Sequence, residues 1–144
     1  MAKQLNVFVE NRPGRLRSIT ETLCESGINI ISFTTQDRGD FGLLKLIVNR
    51  PQDAKLALAE KGFACALKDI LAISIKDSPG NLHKLTSILE DHNVNVIDAS
   101  GYVIEPEHRG ICCMEIEDMY IERIEKFVEE AGFKILEDEE LYEL

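Results

Sequence analysis

Apolar and polar residues alternate at the start of the chain, with Leu5, Val7 and Val9 on one side and Gln4, Asn6, Phe8 and Glu10 on the other. Successive side chains of a strand point to opposite faces, so this period of two predicts a strand with one more strongly buried face. Asn11-Arg12-Pro13-Gly14 ends it, because proline fixes its own φ and drives the residue before it into extended geometry, while glycine reaches conformations that other residues avoid. The period then lengthens. Leu16, Ile19 and Leu23 recur at steps of three and four, which predicts a helix with one apolar stripe, closed by Gly27. Ile28 to Gln36 reads as the next strand, Arg38-Gly39-Asp40 as a turn and Phe41 to Val48 as the returning strand. A second helix is expected from Gln52 to Lys61, ended by Gly62-Phe63, and a last strand near Ala64 to Leu67.

The series then begins again. Pro13-Gly14 returns as Pro79-Gly80, 66 residues on, and at that spacing Leu5, Val7 and Val9 meet Leu71, Ile73 and Ile75, while Leu16, Ile19 and Leu23 meet Leu82, Leu85 and Leu89. Ile28-Asn29-Ile30-Ile31 lies over Val94-Asn95-Val96-Ile97, and Asn93 holds the helix-ending place of Gly27. The second hairpin, Val94 to Ile104 and Ile111 to Glu117, has a slightly longer loop through Pro106 to Gly110, and a helix from Tyr120 to Ala131 and a strand from Lys134 to Leu136 complete the copy. A duplication explains this agreement, and it leaves little chain for a separate catalytic domain. Each copy runs strand, helix, strand, strand, helix, strand. With right-handed crossovers this is the ferredoxin-like βαββαβ arrangement, an α+β fold with a four-stranded antiparallel sheet and both helices on one face. The expected units are residues 1–68 and 69–144. The other sheet face is expected to be solvated or covered, with the units packed through their sheets within one chain or across a dimer.

Composition narrows the function. The chain is 44% hydrophobic and 29% charged, as ordinary globular proteins are, and no apolar run approaches the roughly 20 residues of a membrane span. Met1-Ala2-Lys3-Gln4 leads into a strand with no signal-peptide pattern, so a cytoplasmic protein without a membrane partner is expected. The net charge of −10 is uneven: residues 1–68 carry 10 basic and 7 acidic side chains, residues 69–144 carry 6 and 19. That balance opposes a nucleic-acid partner, whose affinity comes largely from basic residues displacing counterions. Much of the acid is expected on solvated surface, on the face of Glu122, Glu125, Glu129 and Glu130 and in the tail from Glu137 to Glu143.

Catalytic chemistry finds no residues to stand on. Cys24, Cys65, Cys112 and Cys113 lack metal-ligand spacing and read as core or half-buried thiols; His83, His92 and His108 match no metal motif and read as surface residues. No phosphate-binding glycine loop occurs, and no catalytic residue, metal or cofactor is expected. What remains is the loop before the first helix of each copy, where unsatisfied N–H groups and the positive end of the helix dipole suit a carboxylate. Asn29 and Asn95, at the start of the following strands, are placed to meet the same ligand.

Asn11-Arg12-Pro13-Gly14-Arg15-Leu16 with Gly27-Ile28-Asn29-Ile30, and Asp77-Ser78-Pro79-Gly80-Asn81-Leu82 with Asn93-Val94-Asn95-Val96, closely resemble the ACT domain. The resemblance covers almost the whole chain, which looks like a stand-alone tandem ACT protein. It implies a regulatory module that is not an enzyme, a free amino acid bound at interfaces between paired domains, a homodimer, and a regulated enzyme or regulator in trans. By motif match the ligand-binding residues are Asn11, Arg12, Pro13, Gly14, Arg15, Leu16, Asn29 and Ile30 in the first copy. In the second they are Asp77, Ser78, Pro79, Gly80, Asn81, Leu82, Asn95 and Val96. The copies differ in charge: Arg12, Arg15 and Arg17 surround the first loop, whereas Asp77 and Ser78 open the second, where Asp77 is expected to pair with a ligand ammonium. A reading from another class is a ligand-free interaction module built on paired ACT-like sheets.

Overall fold

The computed structural model describes residues 1–144 in backbone and all but Asp118 in side chain. The elements follow one another as β1 (Lys3–Glu10), α1 (Arg15–Glu25), β2 (Ile30–Asp37), β3 (Phe41–Val48), α2 (Pro51–Glu60) and β4 (Ala64–Asp69), then β5 (Leu71–Lys76), α3 (Asn81–Asp91), β6 (Val96–Glu105), β7 (Arg109–Ile116), α4 (Ile121–Glu130), β8 (Lys134–Leu136) and α5 (Asp138–Tyr142). They form two four-stranded sheets of the same order, β2-β3-β1-β4 and β6-β7-β5-β8. Both are ferredoxin-like βαββαβ units. One compact unit comprises Lys3–Lys68 with Tyr142–Leu144, the other Met1–Ala2 with Asp69–Leu141.

Each unit has its own apolar core. Leu5, Val7, Leu44, Leu46 and Val48 of one sheet pack with Ile19 and Leu23 of α1 and Ala54 and Leu58 of α2. In the other unit Leu71, Ile73, Cys112 and Met114 pack with Leu85 and Leu89 of α3 and Ile124 and Val128 of α4. Burying one such side chain contributes about 1.5–3 kcal/mol. The apolar stripes follow the three-and-four spacing except in the first helical turn: Leu16 and Leu82 are 46% and 53% exposed. Both line the pockets described below.

The sheet faces away from the helices are buried, the covered alternative of the two expected: Gln4, Asn6, Leu43 and Ile47 in one unit and Ala72, Ile111 and Cys113 in the other are at most 9% exposed. Gln4 meets the demand of burial through its Nε2, which donates to Asn6 Oδ1 at 3.0 Å. The acidic tail is not all solvated surface, since it folds as α5 with Leu141 fully buried. Cys24 is exposed, and His92 is half-buried against the Phe127 ring with centroids 3.6 Å apart. Among the described residues no helix is long and apolar enough to cross a membrane.

Candidate functional site

In both units the link from first strand to first helix is built alike. Gly14 and Gly80 precede α1 and α3 at φ 88° and 92°, a left-handed conformation costly to residues with a Cβ. Nothing lies within 4 Å of a Cβ placed on either glycine, so conformation and not space requires glycine here. Each glycine carbonyl accepts the first helical bond, from Ser18 N–H at 3.0 Å and from Lys84 N–H at 2.9 Å. No side chain caps either helix, and first-turn N–H groups are left to other acceptors.

The residues four places before the helices tie each loop to the neighbouring hairpin, with opposite polarity. Asn11 Nδ2 donates to Asp37 Oδ1 at 3.2 Å and to the Gly39 carbonyl at 3.0 Å. Asp77 instead accepts: its Oδ2 takes the Glu107 N–H at 2.7 Å. An ionised carboxylate has capacity for further donors beyond that one. Asn81 Nδ2 donates to Ser78 Oγ, which fixes the second loop from within.

Behind the loops the units differ most. The first has a small pocket of about 190 Å³, lined by Asn11, Arg12, Arg15, Leu16, Thr35 and Asp37 among others. Two of its arginines face one carboxylate: Arg12 Nε lies 3.0 Å from Glu10 and Arg15 Nη2 3.6 Å from it, while the Arg15 guanidinium sits 5.1 Å over the Phe63 ring and its Nε is buried without a hydrogen-bond partner among the described residues. The second has a pocket of about 680 Å³ with Lys76, Asp77, Ser78 and Leu82 at one side and Ala99, Gly101 and Val103 of β6 at the other. Ile75, Cys112 and Met114 also line it. Only the second falls within the roughly 300–1,000 Å³ usual for small-molecule sites.

The strands beside the two pockets differ at matched places of register. Phe33 pairs with Leu46, Thr35 with Leu44 and Asp37 with Gly42; at the matching places Ala99 pairs with Met114, Gly101 with Cys112 and Val103 with Gly110. Where the first unit carries an aromatic, a β-branched and an acidic residue, the second carries two small residues and a valine. Tyr102 pairs with Ile111 and alternates with Gly101 and Val103 on β6, and its buried hydroxyl has no hydrogen-bond partner among the described residues. Burial pushes it up to about 12, with the neighbouring Cys113 thiol acting in the same direction, so it stays protonated at neutral pH.

Of the motif residues, Asn11, Arg12, Arg15 and Leu16 come together at the first pocket, and Asp77, Ser78, Leu82 and Val96 at the second. Pro13, Gly14, Pro79 and Gly80 shape the loops and line neither pocket. The asparagines stand apart. Asn95 lines a different cavity, with Glu90, Asn93 and Glu117, and the Asn29 N–H donates to Asn49 Oδ1 at 3.0 Å. Ile30 is half-buried and packs on the core. Residues outside the motif, among them Ala99, Gly101 and Met114, also line the second pocket; comparing the copies position by position along β2 and β6 is the signal that finds Ala99 and Gly101.

The sequence profile of the ACT domain pair matches residues 1–144. A Bacteroides thetaiotaomicron protein of known crystal structure is 29% identical and superposes with a TM-score of 0.90 over 99% of this chain and 96% of that one. The regulatory subunit of aspartate kinase from Thermus thermophilus shares the fold at 20% identity and a TM-score of 0.66, covering 91% of this chain and 93% of that one. Its counterpart from Thermus flavus does so at 21% and 0.60, over 90% and 91%. No curated protein matches the chain in sequence. Matched along its whole length and folded as two like units, the chain belongs to the ACT domain pair family.

Proposed function

We propose that this protein is a non-catalytic regulatory module that binds a free amino acid and passes its state to a regulated enzyme or regulator in trans. The observation that carries this reading is the pairing of Lys76 and Asp77, adjacent and of opposite charge, at the side of an otherwise mainly apolar pocket. An amino acid is a zwitterion. Asp77 can take the ammonium, and Lys76 with the first-turn N–H groups of α3 can take the carboxylate. In the first unit the corresponding pair is Glu10 and Asn11, of which Glu10 already faces two arginines. Binding is therefore assigned to the second unit. Its pocket borders β6, an edge strand, so a second copy pairing along that edge would close the open side and turn ligand binding into a change of assembly.

A thermal-shift screen of the standard amino acids tests the reading, because a ligand that binds only the folded state raises the melting temperature. Calorimetric titration of the binder then compares Asp77→Asn, which keeps an acceptor for the Glu107 N–H but removes the charge, with Asn11→Ala. Loss of a charged hydrogen bond worth about 1.5–3 kcal/mol weakens binding roughly ten- to a hundredfold in Asp77→Asn, while Asn11→Ala changes little. If no amino acid stabilises the protein, the ligand-free interaction module is the better reading. If Asn11→Ala abolishes binding and Asp77→Asn does not, the first unit holds the site.

A further inference from the structure

The duplication provides a comparison inside one molecule. At three matched places of register, the strand opposite the first helix carries Phe33, Thr35 and Asp37 in one unit and Ala99, Gly101 and Val103 in the other. Two of the three changes remove side-chain volume and the third replaces a charge by an apolar group. The corresponding pockets measure about 190 and 680 Å³. Thr86 and Ser100 add hydroxyls to the lining of the enlarged space, and its charged side chains are Lys76 and Asp77 at the loop. Ala99 and Gly101 are exposed, Val103 is 53% exposed, and Ile75 and Met114 stand on the neighbouring strands.

From this contrast, and resting on the amino-acid reading above, we infer that the second unit selects an amino acid with a large, uncharged, apolar side chain, such as leucine, isoleucine, methionine or phenylalanine. The charged groups Lys76 and Asp77 are used by the ammonium and carboxylate that every amino acid shares, so they give affinity without discrimination. Discrimination falls to the floor made by Ala99 and Gly101, where an apolar side chain is removed from water. A lysine or aspartate side chain placed there loses its hydration with no partner of opposite charge among the β6 residues that line the pocket. A short side chain such as serine leaves the floor uncovered and gains little. The first unit cannot make the same selection because Thr35 and Asp37 bring polar groups to its smaller pocket.

The test restores the first unit's residues in the second: Ala99→Phe with Gly101→Thr. Both types are carried at this register by the first unit, where Phe33 is 66% exposed, and a Cβ on Gly101 comes no closer than 3.4 Å to the Ile111 carbonyl oxygen, so the variant is expected to fold. Circular dichroism and a melting curve check that it does, and the single variant Gly101→Ala provides a milder filling. Titration uses leucine, methionine and phenylalanine against serine, lysine and aspartate. The expected result is binding of at least one apolar amino acid, at least about tenfold tighter than any of the other three, and loss of at least that factor in the filled variant, within the range that one methylene causes in an apolar pocket. Tighter binding of lysine, aspartate or serine overturns the selection while leaving an amino-acid site standing. So does an apolar ligand whose affinity stays within twofold in both variants. Absence of binding by all six and by every other standard amino acid overturns the amino-acid reading itself.

Discussion

Single residues separate the two copies more than their shared pattern suggests. The four thiols illustrate it. Cys113 is pushed up to about 12 and Cys112 to about 11, in both cases chiefly by burial on β7, and burial also raises the half-buried Cys65. Cys24 lies exposed on α1. Because the thiolate is the reactive form, a thiol with a raised pKa has almost none of it at pH 8. Brief iodoacetamide treatment of the native protein at pH 8 should therefore modify Cys24 first, and Cys112 and Cys113 only after denaturation. Peptide mass spectrometry showing early modification of Cys112 or Cys113 would contradict the burial of both faces of β7. Adjacent strand residues face opposite sides, but alternation reports the more strongly buried face and is silent about what lies against the other, so the sequence does not tell that both sides are covered.

At the scale of elements, periodicity and turn chemistry are legible in the sequence because they are local. The Pro-Gly breaks, the glycine ends of helices and the hairpins depend on a few neighbouring residues, and the strands and helices fall within two residues of their expected bounds at nearly every end. α5 escaped that reading. Its stretch of glutamates carries one apolar anchor, Leu141, whose burial is decided by distant residues and has no periodic signature in so short a run. Leu141→Ala should cost about 2–5 kcal/mol, as for other fully buried leucines, where a merely solvated tail would give almost none. Urea denaturation with an unchanged midpoint would return the tail to the surface. The pocket was half legible for the same reason: the loop residues Asp77 and Ser78 stand out as a motif, while the floor of Ala99 and Gly101 emerges only from strand register, a non-local property.

For the whole molecule, the edges of the sheets matter most. β2 and β6 each lie at an edge, with Phe33, Ile97 and Val103 more than half exposed along them. Long edge strands with exposed apolar residues tend to be covered, and a symmetric pair is the commonest solution. A homodimer is the expected state in solution, and sedimentation equilibrium should give twice the chain mass at micromolar concentration; a monomer throughout, with or without amino acids, would refute it. The composition of the compact units has another consequence. Each borrows residues from the far end of the other's segment: Met1–Ala2 belong with Asp69–Leu141, and Tyr142–Leu144 with Lys3–Lys68. The Ile70 N–H donates to the Ala2 carbonyl at 3.0 Å, and the Lys3 N–H to Tyr142 Oη at 2.9 Å. A gene cut at the midpoint would yield two polypeptides, each lacking part of its own fold and carrying a fragment of its sibling's. Such reciprocal dependence makes the ancestral doubling hard to undo, since deletion of either copy damages the survivor, and it leaves the two copies free to diverge in chemistry while remaining bound to a common fate.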